Sequence, residues 1–294
     1  METTLSQELR MDKVGNIIKI GIISFLFILA YWPAFIILNT KYSAIDSYYS
    51  HGYLIPFVSA FIIWHKRNKL KNMVVMPCRA GLWVLGGGLI LYIFGSWWYV
   101  NFVSASSMII VLAGLSLYLF GKKITREFVF PLLFLFFMIP LPKIVIIYIT
   151  FWLKLVAATT ATKLVTLMGL PATVRGAFIV LPNTTLEVSN ACSGLRSLIA
   201  LIALGTAYAY FLRVSLFKKY IFFLTSIPIA TAANLIRINI LIWISYIYGP
   251  TGNVFKRTDT TTGFLVFIFA LIGLNIVGKW ITLWENRKRN ISSS

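Results

Sequence analysis

Residues 80–120, AGLWVLGGGLILYIFGSWWYVNFVSASSMIIVLAGLSLYLF, run for 41 positions without a Lys, Arg, Asp or Glu. About 20 apolar residues in helical form cross the hydrocarbon core of a bilayer. This stretch alone therefore has the length and chemistry of two spans, near 80–100 and 102–120. The same character extends outward in both directions. Of 294 residues, 59% are hydrophobic and 12% charged, and the mean hydropathy is +0.84. A water-soluble domain carries about 25% charged residues and could not hide so much apolar surface in one core. A soluble enzyme, a secreted domain and a disordered chain are excluded. The composition specifies an all-α polytopic membrane protein.

Apolar runs predict about eight transmembrane helices, near 20–38, 48–65, 80–100, 102–120, 127–142, 191–212, 220–248 and 264–284. Eighteen basic residues, Lys66, Lys69, Lys122, Lys218, Lys219 and Arg287 among them, fall in the connections of one side. Seven fall on the other: Lys41, Lys143, Lys154, Lys163, Arg175, Lys256 and Arg257. The richer side is cytoplasmic by the positive-inside rule, which puts both termini inside. The net charge of +19 thus reads as orientation in a lipid bilayer, and no nucleic-acid partner is expected. The opening METTLSQELRMDKVGN lacks an A-x-A cleavage pattern, so the first apolar run reads as a retained anchor. Residues 143–169, interrupted by Thr150, Lys154, Thr162 and Lys163, are expected as an amphipathic helix on the outer face. Gly176–Val188 reads as a short β-hairpin about Pro182 and Asn183. With no long linker, low-complexity tract or repeat, residues 1–294 read as a single integral membrane domain.

Two basic residues, Arg196 and Arg237, fall inside apolar spans. A charge at membrane depth costs at least about 2.5–3.5 kcal/mol, so it needs a polar partner or a cavity. Arg196 lies near the outer end of its span and can snorkel; Arg237 lies roughly 16 Å along its helix. Cys192 begins the span that holds Arg196, at i and i+4, which on a helix is one face. A helix N-terminus and a guanidinium both favour the thiolate, whereas the plainer reading is a small buried hydrophobe. Asn234 and Arg237, at i and i+3, can hold an oxyanion or tie helices together. His51, the one histidine on the outer side, can serve as general base or acid, or sit at the interface. Asp259, in the last outer loop, can pair with Arg257, with Lys256 or with an arginine of the bundle. Cys78 belongs to a cytoplasmic loop and carries no assigned chemistry. Two cysteines and two histidines without an acidic cluster give no metal site and no cofactor.

Four segments together resemble the exosortase/archaeosortase group of membrane cysteine transpeptidases, across about residues 45–275: SHGYLIP, FPLLFLFFMIPLP, LPNTTLEVSNACSGLRSL and ANLIRI. The specific part is the pair ACSGLRS and NLIRI on consecutive late spans. The resemblance implies an enzyme at the outer face of the bacterial cytoplasmic membrane that acts through a thioester acyl-enzyme. Its partners would be membrane-anchored protein substrates with a C-terminal sorting signal: a short PEP-like motif, a transmembrane helix and a basic tail. Cys192 matches the nucleophile and Arg237 the essential arginine. The family usually has His or Arg four positions before a glycine at the start of the last span; here Asp259 precedes Gly263. That leaves Arg257 or His51 as alternatives for the third role. The competing reading is a polysaccharide or lipid-linked sugar export component, since an intramembrane arginine can also bind an anionic headgroup.

Overall fold

A computed structural model of the chain describes residues 18–44, 47–189 and 193–292, with side chains to residue 287. The chain forms two compact units, Met1–Lys41 with Val75–Thr125, and Tyr42–Val74 with Arg126–Ser294.

In the first unit, α1 (Ile18–Ala30) and α2 (Trp32–Ser43) meet at a 61° bend. The bend falls at Tyr31, which is fully buried, shares a 3.0 Å hydrogen bond with Ser107 and tilts against Tyr92. Helix α5 (Ala80–Trp97) buries Gly81, Gly88 and Gly95, spaced seven apart on one face. A Cβ at Gly95 would stand 2.7 Å from the Ser104 amide nitrogen, so the two backbones pack directly. Small residues permit this close approach where no hydrophobic effect drives helices together. Helix α6 (Asn101–Phe134) breaks at Gly121, φ +81° and ψ 178°. A side chain there would strike the Met76 carbonyl.

The second unit contains a 3-10 turn (Ser50–Tyr53), α3 (Ile55–His65), α4 (Arg67–Lys71), a second 3-10 turn (Leu135–Met138) and α7 (Lys143–Leu167). A three-stranded antiparallel sheet follows, β1 (Thr173–Arg175), β2 (Phe178–Val180) and β3 (Thr185–Glu187), in that spatial order. Then come α8 (Leu195–Phe211), α9 (Leu216–Tyr248) and α10 (Asn253–Ser292). Helix α9 is the axis of this unit. Toward its C-terminal end Ile238, Leu241 and Ile242 pack with Ala158, Ala161 and Val165 of α7 and with Ile179 and Leu186 of the sheet. Toward its N-terminal end Phe222, Ala230 and Ala233 pack with Leu201 of α8 and with Val266, Ala270 and Leu274 of α10.

Among the described residues, five helices are long and apolar enough to cross a membrane, or six if α1 and α2 form one bent span. Exposed Trp83, Phe57 and Phe264 are suited to lipid. The chain is a membrane protein, though the count differs from the eight spans expected. The runs near 102–120 and 127–142 count together as Asn101–Met138, which is two helices meeting at the Gly121 break, between the two expected runs. The run near 48–65 yields only a 3-10 turn and the 11-residue α3, and the run near 191–212 gives the 17-residue α8. Lys143–Leu167 also departs from the expected surface helix, being apolar and long enough to cross. Its Thr150 and Thr162 are buried, so these polar positions face protein rather than marking a wet stripe. The sheet holds one more strand than the expected pair. Pro182 and Asn183 lie in the β2–β3 connection, and Gly176, at φ +62°, turns the chain from β1 into β2.

Charged side chains gather at the end of the second unit remote from the sheet. Glu127 pairs with Lys66 at 3.0 Å and Lys69 at 2.6 Å, and Lys219 donates to the Tyr210 carbonyl at 2.9 Å. Burial alone would disfavour the Lys66 ammonium; Tyr210 and Glu127 more than offset this and hold its pKa above the ordinary lysine value. Next to Lys219, Lys218 pairs with Glu285 and lies over the Trp284 ring at 4.0 Å.

Candidate active site

Between the two packed halves of α9 stand Asn234, buried, and Arg237, whose side chain is 13% exposed. One turn of helix separates them, so both project from one side of α9. Arg237 Nη2 donates to Asp259 Oδ1 at 2.7 Å and, at 3.4 Å, to the Asp259 carbonyl. Asp259 lies within α10, and Gly263 follows one turn later. A Cβ at Gly263 would stand 3.5 Å from the guanidinium carbon, so the arginine rests against bare backbone there.

Helix α8 meets the same place with its N-terminus. Gly194 has φ +80°, and a Cβ on it would lie 2.7 Å from Asn234 Nδ2. A left-handed residue packed this closely has to be glycine. Its carbonyl accepts the Leu198 amide at 2.8 Å and the Ser197 hydroxyl at 3.0 Å, which starts the helix. Buried Ser193 accepts the Leu195 amide at 3.4 Å. Three helices thus bring Gly194, Asn234, Arg237, Asp259 and Gly263 together.

Cys192 lies outside the described residues. The expected sharing of one helix face by Cys192 and Arg196 therefore also lies outside the described residues; the described part of α8 begins at Leu195, after the left-handed Gly194. Arg196 is half-buried, and its Nε has no hydrogen-bond partner among the described residues. His51 is placed by other elements. It stacks on Tyr49 at 5.9 Å and donates a hydrogen bond to the Phe137 backbone carbonyl, and its buried Nε2 is without a partner among the described residues. Arg257 is exposed. The Arg237–Asp259 pair and the Gly194–Asn234 contact are made without His51 or Arg257. Of the three partners open to Asp259, the structure selects the arginine of the bundle.

A cavity of about 280 Å³ opens beside this cluster. Its walls are Thr185–Ser189, which is β3 and its continuation, with Ile238 and Leu241 of α9 and Phe255 and Asp259 of α10. Sequence reasoning missed this cavity and the backbone approach at Gly194. The signal for Gly194 was its place between the candidate thiol and the helix, which a residue with a side chain could not fill. Among the described residues no three His, Cys, Asp or Glu side chains are grouped to hold a metal ion.

Long apolar helices with a guanidinium–carboxylate pair enclosed between them define a polytopic membrane protein with a polar site inside its bundle. The chain belongs to the transmembrane exosortase family (Exosortase_EpsH), whose sequence model matches residues 42–276. No curated protein and no solved structure matches it. Membership implies a bacterial membrane enzyme with protein substrates.

Proposed function

We propose that the protein is a cysteine transpeptidase that removes C-terminal sorting signals from exported proteins at the outer face of the cytoplasmic membrane. The observation that carries this reading is the packing of Gly194, two residues of chain from Cys192, on Asn234, which stands one turn of α9 from the Arg237–Asp259 pair. Two residues span at most about 7 Å. A nucleophile at 192 therefore stays within reach of the donors on α9.

The Cys192 thiolate attacks the scissile carbonyl carbon, and the carbonyl oxygen takes the negative charge. Asn234 and Arg237 supply N–H donors to that oxygen, the kind of stabilisation that usually dominates acyl transfer. Asp259 holds one Nη of Arg237, which fixes the plane of the guanidinium that serves the oxyanion. The C–N bond then breaks, and the departing amine takes a proton from a general acid, for which His51 is the candidate. The substrate's transmembrane tail leaves, and an amine or water attacks the thioester to free Cys192. Arg196 and the N-terminus of α8 favour the thiolate. The gathering of Lys66, Lys69, Lys218 and Lys219 opposite the sheet supports a cytoplasmic location for that end. Glu285, paired with Lys218, draws the C-terminus there, and with α1 and α2 as one bent span the long helices number six, an even count that returns the N-terminus to the same side.

The test is processing of a tagged reporter that ends in a Pro-Glu-Pro motif, a 20-residue Leu/Ala/Val helix and an Arg cluster. Co-expressed with the wild-type chain it is shortened; with Cys192→Ser it stays full length. Equal shortening by both would remove the proposal and return a sugar-export role to the front.

A further inference from the structure

The sheet has an edge that the fold leaves open, and it borders the cavity. In β2–β3 the Val188 amide donates to Ala177 and the Leu181 amide to Thr184. Within the register Ile179↔Leu186, these bonds make 177–188, 179–186 and 181–184 the pairs that exchange hydrogen bonds. The backbone groups of Thr185 and Glu187 therefore turn away from β2, toward no further strand among the described residues. Open strand edges do not face lipid, and an extended chain is the natural complement to one. Thr185–Ser189 line the cavity without interruption, so the strand borders it along its length. The opposite walls, Ile238, Leu241 and Phe255, are apolar. Its two carboxylates already have cations: Lys154 lies 3.9 Å from Glu187, and Arg237 holds Asp259. Past Ser189 the chain continues directly to Cys192.

We infer that β3 is the substrate-binding edge: an extended, uncharged stretch of the substrate adds to it as a fourth strand and is delivered from there to Cys192. Backbone hydrogen bonds to Thr185 and Glu187 hold the stretch in register, and one side chain fills the cavity. This rests on the proposed function and names how that site takes its peptide. A second copy of this chain could also pair with an open edge. The continuity of β3 with the Cys192 segment favours the peptide that reacts there.

The experiment uses full-length Cys78→Ser/Cys192→Ala/Thr185→Cys enzyme in membranes. It is co-expressed with the reporter above, a single cysteine being moved one position at a time through the ten uncharged residues before the reporter's Pro-Glu-Pro motif. Residues of one face of an added strand recur every second position, and only directly opposed pairs come within disulfide reach. Crosslinks at alternate reporter positions, with silent positions between, are expected. Uniform, absent or enzyme-to-enzyme crosslinks would overturn the inference. A second arm measures processing by the Cys192-containing enzyme. Glu187→Pro deletes one outward N–H without touching a β2–β3 bond, and is expected to slow processing about tenfold, the scale of one lost hydrogen bond. Glu187→Ala, which removes the side chain but keeps that N–H, is expected to process faster than Glu187→Pro. Equal rates for the two variants would also overturn the inference. Cys192-dependent processing without alternation sinks only the strand. Alternation without such processing sinks only the chemistry.

Discussion

Arg237 is the residue on which the chemistry turns, and its environment predicts how it fails. A guanidinium held at 2.7 Å by Asp259 offers a fixed fork of donors; an ammonium at that position is a single mobile point charge. Arg237→Lys is therefore expected to lower reporter processing at least about a hundredfold, the scale of a lost oxyanion donor. Asp259→Asn keeps a hydrogen-bond acceptor but loses the charge, and is expected to cost about tenfold, since a hydrogen bond to a charged group outweighs a neutral one. If Asp259 acts through Arg237, Arg237→Ala/Asp259→Asn is no slower than Arg237→Ala alone. Additive losses would give Asp259 a separate role. Gly194→Ala is expected to abolish processing while the protein still inserts, because the new methyl needs both a disfavoured left-handed backbone and the space of Asn234. The sequence makes Arg237 and Asn234 visible as polar groups at apolar depth. It leaves the partner of Asp259 open, because loop neighbours look equivalent until the helix is known. Once α10 starts at Asn253, residues 257 and 259 lie about 200° apart around it. The turn that points Asp259 at Arg237 points Arg257 away.

Elements were legible in kind more than in extent. Apolar runs announce helices, but the eye divides them at charges, whereas the chain divides them where the backbone must turn. The cluster Lys122, Lys123 and Arg126 reads as a loop between two spans, yet the break falls at Gly121, forced by its positive φ against Met76. Thr150 and Thr162 read as polar interruptions of an interfacial helix, and burial absorbs both into α7. The small sheet was half visible: Pro182 and Asn183 mark one turn, but β1 is three residues long and carries no alternation to detect. The glycines of α5 give the prediction at this scale. Gly95→Leu forces a side chain between two touching backbones, so overpacking should cost about 1–3 kcal/mol. Thermal unfolding in detergent is expected to begin several degrees lower, whereas Gly86→Leu, at a position with nothing within 4 Å, should leave it unchanged.

At the scale of the whole molecule, the claim is that charge sets direction. Sequence counting sorted the basic residues into two sides, and the second unit gathers Lys66, Lys69, Lys218 and Lys219 at the end remote from the sheet. In a Cys78→Ser/Cys192→Ser background, an impermeant thiol reagent added to spheroplasts is expected to label Thr185→Cys. Lys69→Cys should react only after permeabilisation, and the reverse pattern would invert the protein. None of this orientation matters unless the thiol does the chemistry. The most direct measurement is intact-mass and peptide mass spectrometry of the wild-type enzyme, acid-quenched during turnover of the reporter. A mass increment equal to the reporter upstream of its cut, located on Cys192 and released by neutral hydroxylamine, is the predicted result. Processing that runs to completion with Cys192 unmodified at every time sampled would contradict it.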